Sequence, residues 1–145
     1  MSETNSAKGQ CLCGSVRYEF ELPSKFVAHC HCSLCRRASG APFVTWIGTW
    51  EAKLHISDLE RNLAMYHSTA EGLRQFCKKC GTQLFFRSPR WPDEVHVTRA
   101  TVTSNVDRLP QAHVFYSDKA DWMEIHDKLP KCGGTTGVEP LADKQ

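Results

Sequence analysis

Residues 30–35 read Cys-His-Cys-Ser-Leu-Cys, and this stretch decides how the rest of the chain is interpreted. Two cysteine pairs flank it at a distance: Cys11 and Cys13 come before it, and Cys77 and Cys80 follow it. Thiols that are spaced by one or two residues in a tight turn can occupy neighbouring corners of one metal tetrahedron. The pattern therefore predicts a small domain that is held together by cysteine-bound metal ions.

Seven of the cysteines divide into a group of four and a group of three. The group of four is Cys11, Cys13, Cys77 and Cys80, which we call the closed cluster, and the group of three is Cys30, Cys32 and Cys35, which we call the triplet. We expect the closed cluster to hold a structural zinc that ties the first strand to a distant hairpin. The triplet is expected to hold a second zinc with a free fourth position, as catalytic sites do, so two zinc ions per chain are predicted.

The triplet has an alternative interpretation, in which a fourth protein ligand from His29, His31 or Cys132 completes a second inert site. His31 lies between two ligating cysteines, where the alternation of an extended chain turns it away from their metal. Cys132 lies in the Gly- and Pro-rich residues 130–140 and is expected to be a free thiol. An exchangeable fourth ligand would indicate an enzyme, whereas a protein-supplied one would indicate a non-catalytic, zinc-stabilised binding module for protein or nucleic acid.

Disulfide bonds are the other use that eight cysteines could have. Residues 1–8 are polar rather than signal-like, and the longest apolar stretch, residues 41–47, is much too short to span a membrane. We therefore expect a cytoplasmic protein with no membrane partner, and a cytosolic chain keeps its thiols reduced. Zinc binding is favoured over disulfide formation on this ground.

The charge balance argues against a nucleic-acid partner. Lys and Arg number 18 and Asp and Glu number 16, which gives a formal net charge of +2. Seven zinc-bound thiolates and two zinc ions would lower this charge to about −1. No run of basic residues is longer than a pair, so no basic surface for a polyanion is predicted.

Hydrophobic alternation predicts a mainly β chain. In residues 15–22, apolar side chains alternate with polar ones, which is typical of a half-buried strand. The predicted strands are residues 15–22, 42–51, 64–68, 83–87, 94–101 and 112–116, with a single helical turn over residues 33–39. We expect a flexible N-terminus over residues 1–8, one zinc-binding domain over residues 9–129, and a flexible tail over residues 130–145.

A glycine follows the last cysteine of each pair in the closed cluster. Gly14 follows Cys13, and Gly81 follows Cys80. Tight turns often need a positive φ, which glycine adopts without a clash at Cβ, and such turns let backbone N–H groups point at the sulfurs. The glycines could also be ordinary hairpin residues, and both interpretations allow a cysteine turn at each position.

Three ordered motifs carry a family resemblance. They read Gly-Gln-Cys-Leu-Cys-Gly-Ser-Val-Arg-Tyr at residues 9–18, Cys-His-Cys-Ser-Leu-Cys-Arg-Arg-Ala-Ser-Gly at residues 30–40, and Phe-Cys-Lys-Lys-Cys-Gly-Thr at residues 76–82. Together they resemble the glutathione-dependent formaldehyde-activating enzyme family, one branch of which is similar to centromere protein V. The later His113 and Trp122 resemble the C-terminal half of the family.

The resemblance implies a β-tent fold with zinc-binding turns joining small antiparallel sheets, a structural zinc on the closed cluster and a catalytic zinc on the triplet. It implies a carbon–sulfur lyase or thiol-adduct synthase, similar to S-(hydroxymethyl)glutathione synthase, which acts on glutathione and formaldehyde. The expected partner is a small glutathione-like thiol, and the chain could also form a homodimer. The centromere branch acts in binding, and this chain lacks a long basic extension for that role.

A glutathione-like substrate carries carboxylates, so fixed cations are expected beside the triplet. Arg36 and Arg37 are the nearest arginines in the sequence, and arginine suits bidentate carboxylate binding. Their alternative is a solvated pair on the surface of a turn.

Aromatic residues and histidines complete the predicted substrate site. Trp46 is expected to contact the substrate from the strand after the triplet, although Trp46 and Trp50 share a face and could both be plain core. His113 is a further candidate substrate-binding residue. His29, His31 and His113 are each candidate proton donors to an alkoxide.

Overall fold

Backbone pairing arranges the strands into three sheets in the computed structural model of the chain, which describes residues 5–142. The strands are β1 (Ser6–Gln10), β2 (Arg17–Glu21), β3 (Phe26–Cys30), β4 (Val44–Trp50), β5 (Leu54–Ser57), β6 (Leu63–His67), β7 (Leu73–Cys77), β8 (Gln83–Arg87), β9 (Glu94–Thr98), β10 (Ala112–Val114), β11 (Cys132–Gly133) and β12 (Glu139–Pro140). The helices are α1 (Ser33–Ser39) and single 3-10 turns at Glu51–Lys53, Arg99–Thr101 and Tyr116–Asp118. The predicted fold class, mainly β with small antiparallel sheets, is confirmed.

The large sheet has seven strands in the order β10-β3-β4-β9-β8-β7-β6. Its neighbouring strands are antiparallel except for β10, which runs parallel to β3. A second sheet has the order β1-β2-β5, and β11 pairs with β12 in a third. The closed cluster joins the β1–β2 hairpin of the second sheet to the β7–β8 hairpin of the large one, while the triplet begins where β3 ends.

The core lies between the second sheet and the large sheet. In β2, Tyr18 and Phe20 are buried while Arg17 and Glu21 are exposed, as the alternation predicts. The ring of Tyr18 meets that of Phe85 from β8 edge-on, with 5.3 Å between the ring centres. The two sheets therefore share one apolar core, and this core holds the two hairpins of the closed cluster in place.

Two strands of the large sheet, β3 and β7, are absent from the sequence prediction. In β7, Arg74, Gln75 and Cys77 are buried, and in β3, Val27, Ala28 and Cys30 are buried. A strand that is buried at successive positions shows no apolar alternation, so periodicity alone does not detect it. The predicted strand 83–87 and the helical turn 33–39 coincide with β8 and α1.

The two segments that were expected to be flexible take part in the fold where the structure describes them. Residues 6–8 belong to β1, which pairs with β2, and Ala7 is fully buried. In the C-terminal segment, the backbone N–H of His113 donates to the carbonyl of Pro130, and that of Phe115 donates to the carbonyl of Gly137. The edge strand β10 and the residue that follows it provide the backbone donors of these two hydrogen bonds. Residues 1–4 and 143–145 of the expected flexible ends lie outside the described residues.

No helix within residues 5–142 is both long enough and apolar enough to cross a membrane.

Candidate metal centres and the adjoining cavity

The closed cluster brings together four thiols from two hairpins. The Sγ atoms of Cys11 and Cys13 are 3.6 Å apart, and those of Cys13 and Cys77 are 3.8 Å apart. With Cys80 included, all four Sγ atoms lie within 4.8 Å of one another. Corners of a tetrahedron with Zn–S bonds of about 2.3 Å are about 3.8 Å apart, whereas disulfide sulfurs are about 2.05 Å apart. The spacing fits a tetrahedral metal site and excludes disulfide bonds.

The two turns of the closed cluster have the same construction. The N–H of Gly14 donates to the carbonyl of Cys11 at 3.1 Å, and the N–H of Gly81 donates to the carbonyl of Cys77 at 2.7 Å. Gly14 has a φ of 78° and Gly81 a φ of 83°, as the sequence predicts. The N–H of Val16 donates to the Sγ of Cys11 at 3.3 Å. Such a donor favours the thiolate form that a metal ligand requires.

The triplet brings together three thiols from one short segment. Cys30 ends β3, Cys32 precedes α1, and Cys35 lies in the first turn of that helix. Their Sγ atoms lie within 4.8 Å of one another, and those of Cys30 and Cys35 are 3.6 Å apart. Hydrogen bonds with Cys30 and Cys35 lower the pKa of Cys32, whereas the contact with Cys32 raises the pKa of Cys30. The three thiols thus compete for protons, and a bound divalent cation would remove that competition.

The candidate fourth ligands of the triplet lie elsewhere. Nδ1 of His29 is bonded to the hydroxyl of Thr45 at 2.7 Å, and the side chain of His31 is turned toward His113. Within residues 5–142, the metal-capable group at the triplet contains its three thiols and neither these histidines nor Cys132. The donor set fits a zinc ion with three protein ligands.

A cavity of about 480 Å³ opens beside the triplet, and all three of its cysteines line it. The cavity surface is mostly apolar and includes Trp46, Phe86 and Trp91. Trp46, which the sequence analysis expects to contact the substrate, lines this cavity, whereas Trp50 lies outside it with Lys25 over its ring. A cavity of this volume is within the usual range for small-molecule sites.

The buried cation beside the triplet is Arg74 of β7. Its two terminal nitrogens lie 3.7 and 3.6 Å from the Sγ of Cys35, and its Nε donates to the hydroxyl of Ser68 at 3.0 Å. Arg36 and Arg37, which were expected in this role, do not line the cavity: Arg37 is exposed, and Nε of Arg36 faces the carbonyl of His31 at 3.4 Å. The turn of α1 carries both side chains away from the sulfurs.

His113 also lies outside the cavity, in a hydrogen-bonded chain with His31 and Asp127. Its Nε2 lies 2.9 Å from the carboxylate of Asp127, and its Nδ1 lies 2.8 Å from Nε2 of His31. Because Nε2 of His113 donates to the carboxylate, its Nδ1 accepts a hydrogen bond from the Nε2–H of His31. Nδ1 of His31 is then unprotonated, and it is buried with no partner among the described residues. Burial and the neighbouring His113 lower the pKa of His31 to about 4.

The histidine that lines the cavity is His96 of β9, which the sequence analysis did not select. Its ring contacts those of Phe26, Phe86 and Trp91, at 5.1, 5.9 and 5.2 Å between ring centres. Burial lowers the pKa of His96, although the carboxylate of Glu94 opposes this shift. His96 is therefore neutral near pH 7.

Arg74, His96 and Asp127 are the site residues that sequence reasoning missed. Arg74 could have been selected from the sequence, because it is a charged residue in the short segment 73–77 that ends at the expected metal ligand Cys77. His96 stands among valines in a central strand and resembles a plain core residue there. Asp127 lies in irregular chain, 14 residues after His113, and nothing in the local pattern connects the two.

Comparison with known proteins gives a consistent result. The sequence profile "Glutathione-dependent formaldehyde-activating enzyme" matches residues 6–118. A protein of Halomonas elongata named "Putative glutathione-dependent formaldehyde-activating enzyme" is 29% identical over 128 residues, which cover 83% of this chain and 82% of that protein. A Schizosaccharomyces pombe protein named as an uncharacterized lyase is 28% identical over 122 residues, covering 83% of this chain and 86% of that protein.

Among solved structures, the crystal structure of a Rhodobacter sphaeroides protein superposes on this chain with a TM-score of 0.58 at 27% sequence identity. The match covers 69% of this chain and 91% of that one. The profile match extends over both hairpins of the closed cluster, the triplet and the strands that carry Arg74 and His96. On this evidence the chain belongs to the glutathione-dependent formaldehyde-activating enzyme family.

Proposed function

We propose that the chain is a zinc-dependent carbon–sulfur lyase or thiol-adduct synthase, which forms or cleaves the adduct of a glutathione-like thiol with an aldehyde. The observation that carries this proposal is the position of the triplet, whose three thiols converge on the wall of a 480 Å³ cavity. A purely structural metal site has no need of an adjoining cavity. The names of the two relatives, a formaldehyde-activating enzyme and a lyase, agree with this class of reaction.

The two cysteine groups would have different roles. The closed cluster supplies four thiols, joins two sheets, and would hold a structural zinc. Cys30, Cys32 and Cys35 would hold the second zinc ion, which when bound would favour the ionised form of a substrate thiol. The chain would then bind two zinc ions.

Arg74 makes the triplet tolerant of an anionic ligand. Three thiolates carry one negative charge more than a divalent cation neutralises, and an incoming thiolate adds another. The guanidinium of Arg74 is buried within 3.7 Å of Cys35, where its charge is weakly screened by solvent. It thus offsets the excess charge and holds Cys35 in place through two N–H donors.

The proposed reaction transfers one proton and involves no oxidation. In the synthetic direction, a carbon–sulfur bond forms, the carbonyl π bond breaks, and the thiol proton ends on the former carbonyl oxygen. In the lyase direction, the hydroxyl proton leaves as the carbon–sulfur bond breaks, and thiol and aldehyde are released. We assign the exchange of this hydroxyl proton to His96, because it is a neutral imidazole on the cavity wall.

The cavity walls would contribute mainly by orientation. Uncatalysed addition of a thiol to an aldehyde is easy, so ionising the thiol gives only a modest gain. Holding the aldehyde carbon against the sulfur is worth more, since well-oriented intramolecular reactions gain about 7 kcal/mol or above. The buried Trp46 and the half-buried Phe86 beside the triplet provide such a fixed surface.

The test is exchange among glutathione, formaldehyde and their adduct, measured by NMR against an enzyme-free sample. Wild type should exceed the background rate, and Cys35→Ser should return it to background. Cys132→Ser is the matched control, because Cys132 belongs to neither metal-capable group and should leave the rate unchanged. Zinc-edge absorption with and without glutathione reports whether a sulfur enters the metal shell. Equal rates in wild type and Cys35→Ser, with an unchanged zinc spectrum, would favour a non-catalytic binding module.

A further inference from the structure

Apart from the thiols of the triplet, the cavity is lined by a continuous aromatic surface. Phe86 stands at its centre, with ring-centre distances of 6.1 Å to Trp46 and 6.3 Å to Trp91. His96 extends this surface, with 5.2 Å between its ring centre and that of Trp91. Phe26 follows, with 5.1 Å between its ring centre and that of His96. Formaldehyde has no carbon substituent, so it would leave most of this surface uncovered.

The charged residues of the cavity are poorly suited to the carboxylates of glutathione. Among the described residues that line it, the charged side chains are Arg74, Arg90 and Glu71. Arg74 is already bonded to Cys35 and Ser68. Arg90 and Glu71 are exposed at the rim, where Arg90 stacks on Trp91 and donates to the carbonyl of Thr136. The interior therefore offers no free cation, and burying a carboxylate there would be unfavourable.

We infer that the cavity binds an apolar, aromatic-sized group that is attached to the reacting carbon or sulfur. The preferred substrate class is then a thiol–aldehyde adduct in which one of the two parts carries an aromatic or branched hydrocarbon substituent, and this adduct should bind more tightly than the hydroxymethyl adduct of glutathione. This inference deepens the proposed function and rests on it for the position of the sulfur. Aromatic rings prefer the offset and edge-on contacts that Trp46, Phe86 and Trp91 present.

Three small probes separate the contributions of sulfur and of the apolar group. Benzyl mercaptan has both, 2-mercaptoethanol has the thiol without the ring, and benzyl alcohol has the ring without the thiol. Calorimetry on the zinc-loaded protein measures each dissociation constant, and zinc-edge absorption reports sulfur entry. We expect benzyl mercaptan to bind at least tenfold more tightly than 2-mercaptoethanol or glutathione, and benzyl alcohol to bind weakly without changing the zinc spectrum.

Trp91→Ala locates the apolar contact, because Trp91 is half-buried in the loop between β8 and β9 and its loss should leave the fold intact. We expect this substitution to weaken benzyl mercaptan at least threefold and to leave 2-mercaptoethanol unchanged, while Trp91→Phe restores most of the affinity. Trp50→Ala is the matched control, because Trp50 lies outside the cavity and contacts Lys25. Thermal melts of each variant check the fold.

The outcomes distinguish this inference from the proposed function. If glutathione and 2-mercaptoethanol bind as tightly as benzyl mercaptan, or if Trp91→Ala leaves the preference unchanged, the inference is wrong even though thiols reach the zinc. If no thiol alters the zinc spectrum while benzyl alcohol binds in a Trp91-dependent manner, the proposed function is wrong and the apolar site stands.

Discussion

The guanidinium of Arg74 contacts the Sγ of Cys35 through both of its terminal nitrogens, at 3.7 and 3.6 Å. Arg74 comes from β7 and Cys35 from α1, 39 residues earlier in the chain. Among the ion pairs of the described residues, none joins Arg74 to a carboxylate. The thiols of the triplet are therefore the groups that this buried charge faces, and the contact couples the strand that ends in Cys77 to the second metal centre.

Replacing Arg74 with methionine should weaken zinc binding at the triplet by about 10- to 100-fold, the usual effect of removing a group that hydrogen-bonds a metal ligand. Competition with a chromogenic chelator measures this affinity, and Arg74→Lys should recover part of it. Arg87→Met is the control, because Arg87 of the neighbouring strand pairs with Glu51 and Gln75 and does not line the cavity. Unchanged zinc affinity in a folded Arg74→Met protein would show that Arg74 does not stabilise the zinc-loaded triplet.

The two metal centres should differ in their effect on stability. Cys13 and Cys77 are 64 residues apart in sequence, whereas the triplet spans residues 30–35, so the closed cluster restricts far more of the unfolded chain. A structural zinc supplies about 10 kcal/mol or more, which rivals the whole stability of a typical domain at about 5–15 kcal/mol. We expect the Cys77→Ser protein to be unfolded and to show no cooperative melting transition. The Cys32→Ser protein should stay folded and melt cooperatively.

Elemental analysis and thermal melts together check this asymmetry. Wild type should hold two zinc ions per chain and Cys32→Ser one, and Cys132→Ser should match wild type in both measurements. Equal loss of stability in Cys77→Ser and Cys32→Ser would contradict the division into a structural and a catalytic centre. Wild type that reproducibly carries one zinc would contradict the two-site assignment.

Sequence patterns predict the metal-binding groups better than they predict the cavity. Cysteine spacing is a local property, so it identifies the triplet and the two cysteine pairs, and the closed cluster follows from joining the two pairs into one four-thiol site. The positive φ of Gly14 and Gly81 follows from the same turns. The cation at the triplet could not be assigned in this way. Arg36 is near Cys35 in sequence, but the partner in space is Arg74, 39 residues further along the chain. Three strands separate β7 from β3 in the large sheet, so neither sequence proximity nor strand pairing indicates this contact.

The contact between Asp127 and His113 of β10 is another long-range contact that local sequence patterns do not predict. The pairing of β10 with β3 sets His113 beside His29, and the irregular segment that follows returns Asp127 to within 2.9 Å of His113. No periodic pattern encodes that return. Residues 130–140 look like a tail in composition because Gly and Pro are frequent there, yet their backbone groups complete an otherwise open sheet edge.

Asp127 should fix the tautomers of the two buried histidines. Its carboxylate accepts from Nε2 of His113, which leaves Nδ1 of His113 to accept from His31. Asp127→Ala should lower the free energy of unfolding by about 1 kcal/mol, less than a fully buried charged hydrogen bond, because the Asp127 side chain is 43% exposed. Long-range ¹H–¹⁵N spectra should show His113 protonated at Nε2 in wild type and a mixture of tautomers in the variant. Asp121→Ala, an exposed change in the same segment, should alter neither measurement.

Stability should fall with acid in a way that depends in part on His96. Burial holds the pKa of His96 below the value of about 6.5 that it has in an unfolded chain, although Glu94 opposes the shift, and Lys25 adds to it. As the pH falls below about 6.5, the unfolded chain takes up a proton that the folded protein refuses, so the unfolded state is stabilised. The contribution of His96 is therefore fully present above pH 6.5 and decreases below it.

The substitution His96→Gln removes this proton uptake while keeping a polar side chain of similar size. Acid also protonates the cysteine ligands and releases metal, but that effect is common to both proteins, so the difference between their stabilities isolates His96. Denaturant unfolding between pH 8 and pH 5 should show wild type losing more stability than the variant, so that the two curves converge toward low pH. The exposed His126 provides the control, since His126→Gln should follow wild type throughout. Parallel curves for wild type and His96→Gln would mean that His96 takes up its proton equally in the folded and unfolded states, and that it is not the neutral imidazole which the proposed proton exchange requires.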